Sequence, residues 1–510
     1  MNPEQILVTG STGYVGGRLV NRLLSSGYNV KVAGRSIDKI KSRPWAKNSR
    51  VEIAEANMLD YSSLENALKN CRAAYYLVHS MNPQSTDFAE SDRIASQNMA
   101  KAAEKNNLKK IIYLSGLGEK ESSLSKHLKS RAEVAEILCS GTVPVTVLRA
   151  AMILGSGSAS FEILRYLVER LPVMITPRWV QNPVQPIAIR NVLKYLEGCL
   201  ENDDTTGKVF DIGGPDILTY GHLMKLYAKE AGLKYRFIIP VPVLTPRLSS
   251  YWINLVTPVP AYIARPLAEG LRNPVVCQES EIQKLIHQEL LDCRTAIHLA
   301  LGRAKDNCVE TCWSDSGFLD VPEWLHCGDA SYAGGSIKED GYAISFNGSS
   351  KEEIWNQLIK IGGEKGYFYG SFLWKLRGII DRMIGGAGLN RGRRHPSDLR
   401  EGDALDFFRV LNLRAPILLR LFAEMKLPGE AILEFHILKN HEDKIELRMI
   451  ARYSPRGLAG LVYWYLVYPF HNIIFKGMLK NIVLSINSGS KKDAVKIQPF
   501  NRDECVHQQL

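Results

Sequence analysis

Three glycines near the start of the chain have the spacing to hold a phosphate. The apolar run Ile6-Leu7-Val8 leads into Thr9-Gly10-Ser11-Thr12-Gly13-Tyr14-Val15-Gly16, and an amphipathic segment, Arg18 to Leu24, follows before Gly27 closes it. A chain passing from strand to helix in so few residues must turn sharply, approach a pyrophosphate closely and pack the helix tightly on the sheet; glycine suits each position. Amides at the helix N-terminus then face the phosphate charge. A second strand, Asn29 to Ala33, ends in Gly34-Arg35-Ser36, where selection of NAD would ordinarily call for an acidic residue. The planar guanidinium of Arg35 suits a 2′-phosphate, which favours NADP(H) over NAD(H); a solvated strand end is the alternative.

The spacing Gly-x-x-Gly-x-x-Gly resembles that of the short-chain dehydrogenase/reductase superfamily, in particular its extended and atypical branches. The resemblance implies an α/β fold with a Rossmann-type doubly wound parallel sheet. It places Gly10, Ser11, Thr12, Gly13, Tyr14, Val15 and Gly16 at the cofactor, with Arg35 and Ser36 at the second strand and Asn57 and Met58 near the adenine. Leu77, Val78 and His79 fall in the turn beneath the cofactor. A fifth strand, Lys110 to Gly116, precedes the helix on which such enzymes carry a Tyr-x-x-x-Lys pair one turn apart. Here His127 stands at the tyrosine position, Arg131 at the lysine position and Ser115 near the usual serine. Histidine can donate a proton near neutral pH, whereas arginine keeps the charge and a ribose contact but cannot exchange protons. Either His127 and Arg131 carry a modified reduction, or they face solvent or a phosphate and carbonyl reduction has been lost.

The stretches Gln185 to Val192 and Val209 to Pro215 resemble extended-branch signatures. The second, with Leu218-Thr219-Tyr220 after it, is also similar to the NmrA-like regulators and the dehydrogenase-like accessory subunit of respiratory complex I. The resemblance covers roughly residues 1–290 and implies an NAD(P)-binding domain over 1–300, with its substrate-pocket part at about 155–290. A proline-dense stretch, Pro240 to Pro274, predicts irregular segments there. One more helix is expected over Glu281 to Arg303.

A chain of 510 residues exceeds the size at which one core stops growing, about 250–300 residues, so further domains follow. After a linker at 301–335, Tyr342 to Phe346 has the period of a strand. Ser349-Ser350 then caps a helix from Lys351 to Ile361, and Gly362-Gly363 ends it. Strands around Asp403–Leu411, Leu418–Met425, Ala431–Leu438 and Ile445–Tyr453 precede a long apolar helix from about Gly457 to Leu484. This order resembles the α+β helix-grip fold of START and Bet v 1-like proteins over 336–490, with a flexible tail at 491–510. The wording of Leu376 to Asp381, Arg391 to Pro396 and Tyr463-Trp464-Tyr465 is similar to a bacterial domain of unknown function fused behind atypical short-chain dehydrogenases. A helix-grip cavity would hold an apolar small molecule or lipid; a filled core is the alternative.

Arg391, Arg393 and Arg394, beside His395, form a candidate anion-binding cluster, with a solvated basic loop as the plainer reading. The net charge of +11 suits an anionic cofactor, an acidic metabolite or a membrane surface. It is spread along the chain, which argues against a nucleic-acid partner. Leu458 to Phe475 approaches membrane-spanning length, but Pro469, His471 and Asn472 interrupt it, so a buried core helix is expected and peripheral membrane contact stays open. The first strand begins almost at once, which implies the cytoplasm. Nine scattered cysteines fit reduced thiols, and their spacing predicts no metal site. Two functions follow as expectations. One is an NAD(P)-dependent oxidoreductase acting on a carbonyl or enone of an apolar substrate; the other is a non-catalytic NAD(P)-sensing or assembly protein that binds lipid or a partner.

Overall fold

The computed structural model describes residues 5–78, 88–118, 126–241, 246–257, 259, 261–305, 310–312, 337–346, 350–389, 392–439, 444–486 and 497–499. It divides into two compact units, Met1–Gly317 and Phe318–Leu510, with the boundary inside the stretch read as linker.

In the first unit the apolar strand runs assemble into a seven-stranded parallel sheet. Its order from one edge is Val209–Ile212, Val145–Ala150, Lys110–Gly116, Cys71–Tyr76, Gln5–Thr9, Val30–Gly34 and Val51–Glu55. The strand sequence therefore reverses between Gln5–Thr9 and Cys71–Tyr76, which is where a doubly wound sheet opens a crevice beyond its strand ends. Ile6, Leu7 and Val8 are fully buried because helices cover both faces. Leu19 of the helix Tyr14–Ser25 and Val192 of Ile189–Glu201 pack on the face of Ile6 and Val8. Leu64, Met99 and Leu138, from three other helices, pack on the face of Leu7.

Two expectations change. The single helix expected over Glu281–Arg303 is two helices, Glu281–Leu285 and Cys293–Lys305. Asn191 explains the break: its amide donates to Gln288 Oε1 and Glu289 O and accepts from Leu291 N, holding residues 288–291 outside either helix. Asp216 then accepts from Cys293 N at 2.7 Å, where the second helix begins. The proline-dense stretch is more regular than expected, with helices Pro246–Val256 and Ala261–Gly270. Pro246 occupies the first helical position, where a missing N–H costs little, and Pro266 is accommodated inside the second helix.

The second unit is a seven-stranded antiparallel sheet with helices. Its order is Ala404–Leu405, Phe408–Arg414, Leu418–Ala423, Gly429–Lys439, Ile445–Pro455, Lys338–Phe346 and Ile497–Pro499. Helix Lys351–Leu358 opens on a capping box: Glu353 N donates to Ser350 Oγ, and Ser350 N to Glu353 Oε2. It packs Ile354, Trp355 and Leu358 on the sheet. The terminal helix Gly457–Ile486 adds Ile474, Phe475, Met478, Leu479, Ile482 and Val483 to the same core. Its most apolar stretch, expected to be core, is only 22% buried. The physical reason is that sheet contact is made chiefly by the C-terminal half, while the first four turns bury Gly460 and Trp464 alone.

Candidate functional site

The glycine turn lies at the crevice. Gly10 has φ +67°, and a Cβ there would stand 2.6 Å from Leu77 O, so the turn passes closer to the end of the neighbouring strand than any side chain allows. Gly13 N donates to Gly10 O at 2.9 Å and closes the turn. A Cβ on Gly16 would run into Gly10 O, so the helix can pack this tightly only with glycine. No side chain caps the helix at Gly13, which leaves its first amides without a side-chain acceptor. Thr9 Oγ1 donates to Tyr75 O and accepts from Leu77 N, fastening together the two strands that flank the crevice. Ser11 Oγ is buried with no hydrogen-bond partner among the described residues. A buried hydroxyl without a partner costs free energy, and an anion seated in the turn would supply the acceptor.

A clamp behind the turn was not foreseen. Arg18 is buried, donates from Nε to Thr311 Oγ1 at 2.9 Å and from Nη2 to Ser156 O at 2.8 Å, and stacks over the Tyr14 ring at 4.8 Å. Thr311 Oγ1 in turn donates to Tyr14 O. Residue 311 fell in the expected linker, and its only sequence signal is an arginine in the first turns of a helix, where the macrodipole disfavours a cation.

At the second strand, Arg35 is exposed, and Ser36 accepts from Lys39 N to start the short helix Ile37–Lys41. Asn57 is exposed after the third strand; its Oδ1 accepts from Leu59 N, and Met58 O accepts from Asn98 Nδ2. Leu77 and Val78 are half-buried at the crevice, and His79 lies outside the described residues. His127 falls on the helix Lys126–Cys139, four positions before Arg131, but its side chain lies outside the described residues.

Arg131 and Ser115 are brought to one strand end. A Cβ on Gly116 would stand 3.5 Å from Arg131 Cδ, so the arginine crosses directly over the residue after Ser115, which is itself 4% exposed. Arg131 Nε is buried without a hydrogen-bond partner among the described residues. Tyr113, two residues before Ser115, was missed in the sequence because a tyrosine inside an apolar strand reads as core. Its hydroxyl donates to Arg131 O at 3.4 Å; burial raises its pKa, partly offset by the Arg131 charge.

Residues 10–159 match a family model described as NAD(P)H-binding. The first unit contains an NAD(P)-binding domain.

The match covers the glycine turn, the crevice and the Ser115–Arg131 corner of that domain, while residues 332–478 match a family described as a protein of unknown function, DUF2867. The chain is similar to the mitochondrial NADH-ubiquinone oxidoreductase 40 kDa subunit of Neurospora crassa, 22% identical over 289 residues that span 56% of this chain and 71% of that protein. It is also similar to the chloroplastic divinyl chlorophyllide a 8-vinyl-reductase of Cucumis sativus, 25% identical over 48% of this chain and 61% of that one. Among solved structures, the Bordetella bronchiseptica enzyme WbmG in complex with NAD has a TM-score of 0.48 at 15% identity, covering 61% of this chain and 97% of that chain. Likewise, an NADPH-dependent quinone oxidoreductase from Escherichia coli has a TM-score of 0.46 at 16% identity, covering 57% of this chain and 98% of that one.

In the second unit, the arginines read as an anion cluster are committed within the fold. Arg394 donates to both carboxylate oxygens of buried Asp403 at 3.0–3.2 Å and to Asp398 at 2.9 Å. Arg393 donates to the carbonyls of His395, Ile361 and Asp398, and burial lowers its pKa to about 10. Arg391 lies outside the described residues. An external anion would have to compete with these acceptors. No group of acids, histidines and cysteines that could hold a metal occurs among the described residues.

Proposed function

We propose that the chain is an NAD(P)(H)-dependent oxidoreductase acting on a carbonyl or enone of an apolar substrate, with the second unit helping to hold that substrate in a helix-grip-like cavity. The observation that carries the reading is the corner where Arg131 lies over the strand end beside Ser115, at the same carboxyl end of the parallel strands as the glycine turn. Gly10 to Gly16 would hold the pyrophosphate, with the buried Ser11 hydroxyl donating to it. Asn57 and Met58 would lie at the adenine, and Leu77, Val78 and His79 beneath the dinucleotide. Arg35 and Ser36 would bind a 2′-phosphate, which makes NADPH the preferred cofactor.

Bound NAD(P)H supplies a hydride to the electrophilic carbon. Arg131 would hold the ribose and keep a positive charge beside the reacting oxygen. Ser115 would polarise that oxygen by donating a hydrogen bond. His127 would give its proton to the oxygen as the electron pair arrives, producing an alcohol, or from an enone an enol that tautomerises to the saturated ketone, and a neutral imidazole that solvent reprotonates.

Oxidation of NADPH against a panel of carbonyls, enones and quinones tests this, with cofactor binding measured in parallel. His127→Ala should lower turnover about 100-fold or more with little change in cofactor affinity. Unchanged turnover would remove His127 from the reaction. Cofactor that binds but is oxidised by no substrate would favour the non-catalytic sensing reading, which the missing Tyr-x-x-x-Lys pair already supports.

A further inference from the structure

The second unit carries apolar surface that its own fold leaves uncovered. Among its described residues, every exposed large apolar side chain belongs to the helix Ser371–Met383 with its flanking residues or to the helix Gly457–Ile486; the sheet contributes none. Phe372 and Met383 are 74% and 79% exposed, and Leu458 and Leu466 are 77% and 67% exposed. Ile379 and Tyr465 are more than half exposed. Isolated exposed leucines are ordinary, but such residues repeated turn after turn on two helices of one unit are the kind of apolar surface that marks a binding site.

The two helices are tied to each other at their ends. Gly370, which starts the first, sits against Ile474; the Tyr369 ring fills the space over Gly477, and Asn481 Nδ2 donates to Phe368 O. At the other end, Asp381 accepts from Lys426 N and Arg377 donates to Lys426 O. Two residues further on, Pro428 O accepts from Arg456 N and rests on Gly460. From Gly370 to Asp381 the helical rise gives about 17 Å and from Ile474 back to Gly460 about 21 Å, so the two tied spans are similar in length and opposite in chain direction.

The charges choose the occupant. The 30-residue terminal helix has no aspartate or glutamate, carries Lys476 and Lys480, both exposed, and follows Arg456. The neighbouring helix carries Lys375, Arg377 and Arg382, and its one acid, Asp381, is fully buried and accepts from Gly388 N and Lys426 N. An apolar face with cations around it and no exposed acid on either helix matches an anionic bilayer surface, and a second copy of the same face would bring like charges together. Tyr465 and Tyr468, both exposed, add the aromatic amphiphiles suited to the headgroup layer. By length and composition alone the terminal helix could span a bilayer, but Ile474 to Val483 are built into the sheet core, which anchors that half in protein.

We infer that the paired helices Ser371–Met383 and Gly457–Ile486 form a peripheral docking face for anionic lipid bilayers. The helices lie in the interface plane, Phe372, Met383, Leu458 and Leu466 enter the acyl boundary, and Lys375 and Lys480 meet the headgroups. This surface stands independently of the cofactor reading.

Flotation of the full chain with vesicles tests it, using phosphatidylcholine alone and phosphatidylcholine mixed with phosphatidylglycerol. Binding to the anionic vesicles, weakened by salt, is expected. Phe372→Ser with Leu466→Ser should weaken it at least about 10-fold, since each replaces a large apolar side chain of the docking face with a small polar one. Lys375→Glu with Lys480→Glu should abolish the preference for anionic lipid. These positions are exposed, and retained NADPH binding together with an unchanged thermal midpoint would establish that the variants fold. The inference is overturned if the wild type floats with neither vesicle, if the variants bind as well as the wild type, or if the same substitutions instead dissociate a dimer that ignores lipid.

Discussion

In the first unit the seven-stranded sheet is covered on both faces, and the buried Ser11 hydroxyl, without a partner among the described residues, lies in the glycine turn; in the second, whole turns of apolar helix beside the sheet stand in the open. A buried hydroxyl left unpartnered inside a tight turn is a point feature, suited to a small charged ligand. The second spreads unmet apolar area over two helices, which recognises a surface. The difference teaches that an uncompensated feature is informative in both its kind and its extent: one buried donor selects a molecule, and about 20 Å of helix selects a phase.

The largest expected effect would break the first side of this comparison. Gly10→Val places a branched side chain at φ +67°, with its Cβ 2.6 Å from Leu77 O. The left-handed conformation alone costs about 1–2 kcal/mol, and relief of the clash must move the turn away from the crevice. Titration calorimetry should show NADPH affinity reduced by at least about 100-fold, while the second unit's lipid binding is unchanged. Full affinity in the variant would mean that the turn does not define the site.

A second expectation sharpens the other side, because the second unit, open at its helices, holds a dense charge network in its sheet. Glu434 is 1% exposed, lies 2.7 Å from His436 Nε2 and accepts from Arg420 Nε at 3.2 Å, with Arg452 at 3.7 Å. Burial pushes its pKa up, but the His436 contact and the Arg452 and Arg420 charges outweigh this and bring it down to about 2. A carboxylate depressed in the folded state stabilises the fold above its unfolded pKa, near 4.5, and that stability is lost as the pH falls from there through about 2. The loss is on the order of 3 kcal/mol. Calorimetry from pH 7 downward should show this acid-dependent fall in the wild type. Glu434→Gln should be less stable at pH 7 and lack this component, and an identical acid profile in the variant would place the sensitivity elsewhere.

These contrasts also explain what was legible in the residue string. The parallel sheet, the glycine turn and the strands of the second unit could be read because each needs a local pattern: an apolar run, three spaced glycines, or period-two alternation. The Arg18–Thr311 clamp could not be read, because it joins residues 293 positions apart through a polar contact that leaves no periodic trace. Asn191 broke an expected helix by the same long-range means. The pairing of Arg393 and Arg394 was hidden because a basic run looks alike whether its partners are outside or are Asp398 and Asp403. The terminal helix was read only in part, because an all-round apolar helix has one sequence signature whether or not each of its turns is covered, and only the sheet contact distinguishes its two halves.

The smallest expected effect separates the two ways in which the units start a helix. Gly13 opens Tyr14–Ser25 with no side-chain cap, which suits amides reserved for a ligand. Ser350 opens Lys351–Leu358 with a complete capping box, so its amides are met within the chain. Ser350→Ala removes the acceptor for Glu353 N and should cost about 1 kcal/mol, whereas Ser350→Gly should cost only a few tenths, because glycine lets water reach the freed amide. Urea unfolding of the full chain measures both. The helix seats Ile354, Trp355 and Leu358 in the second core, so the loss should appear as a lower unfolding midpoint with NADPH affinity unaltered. Equal stability for serine and alanine would mean that packing alone fixes this helix. The contrast between internally satisfied amides and amides held open for a ligand would then rest on the first unit only.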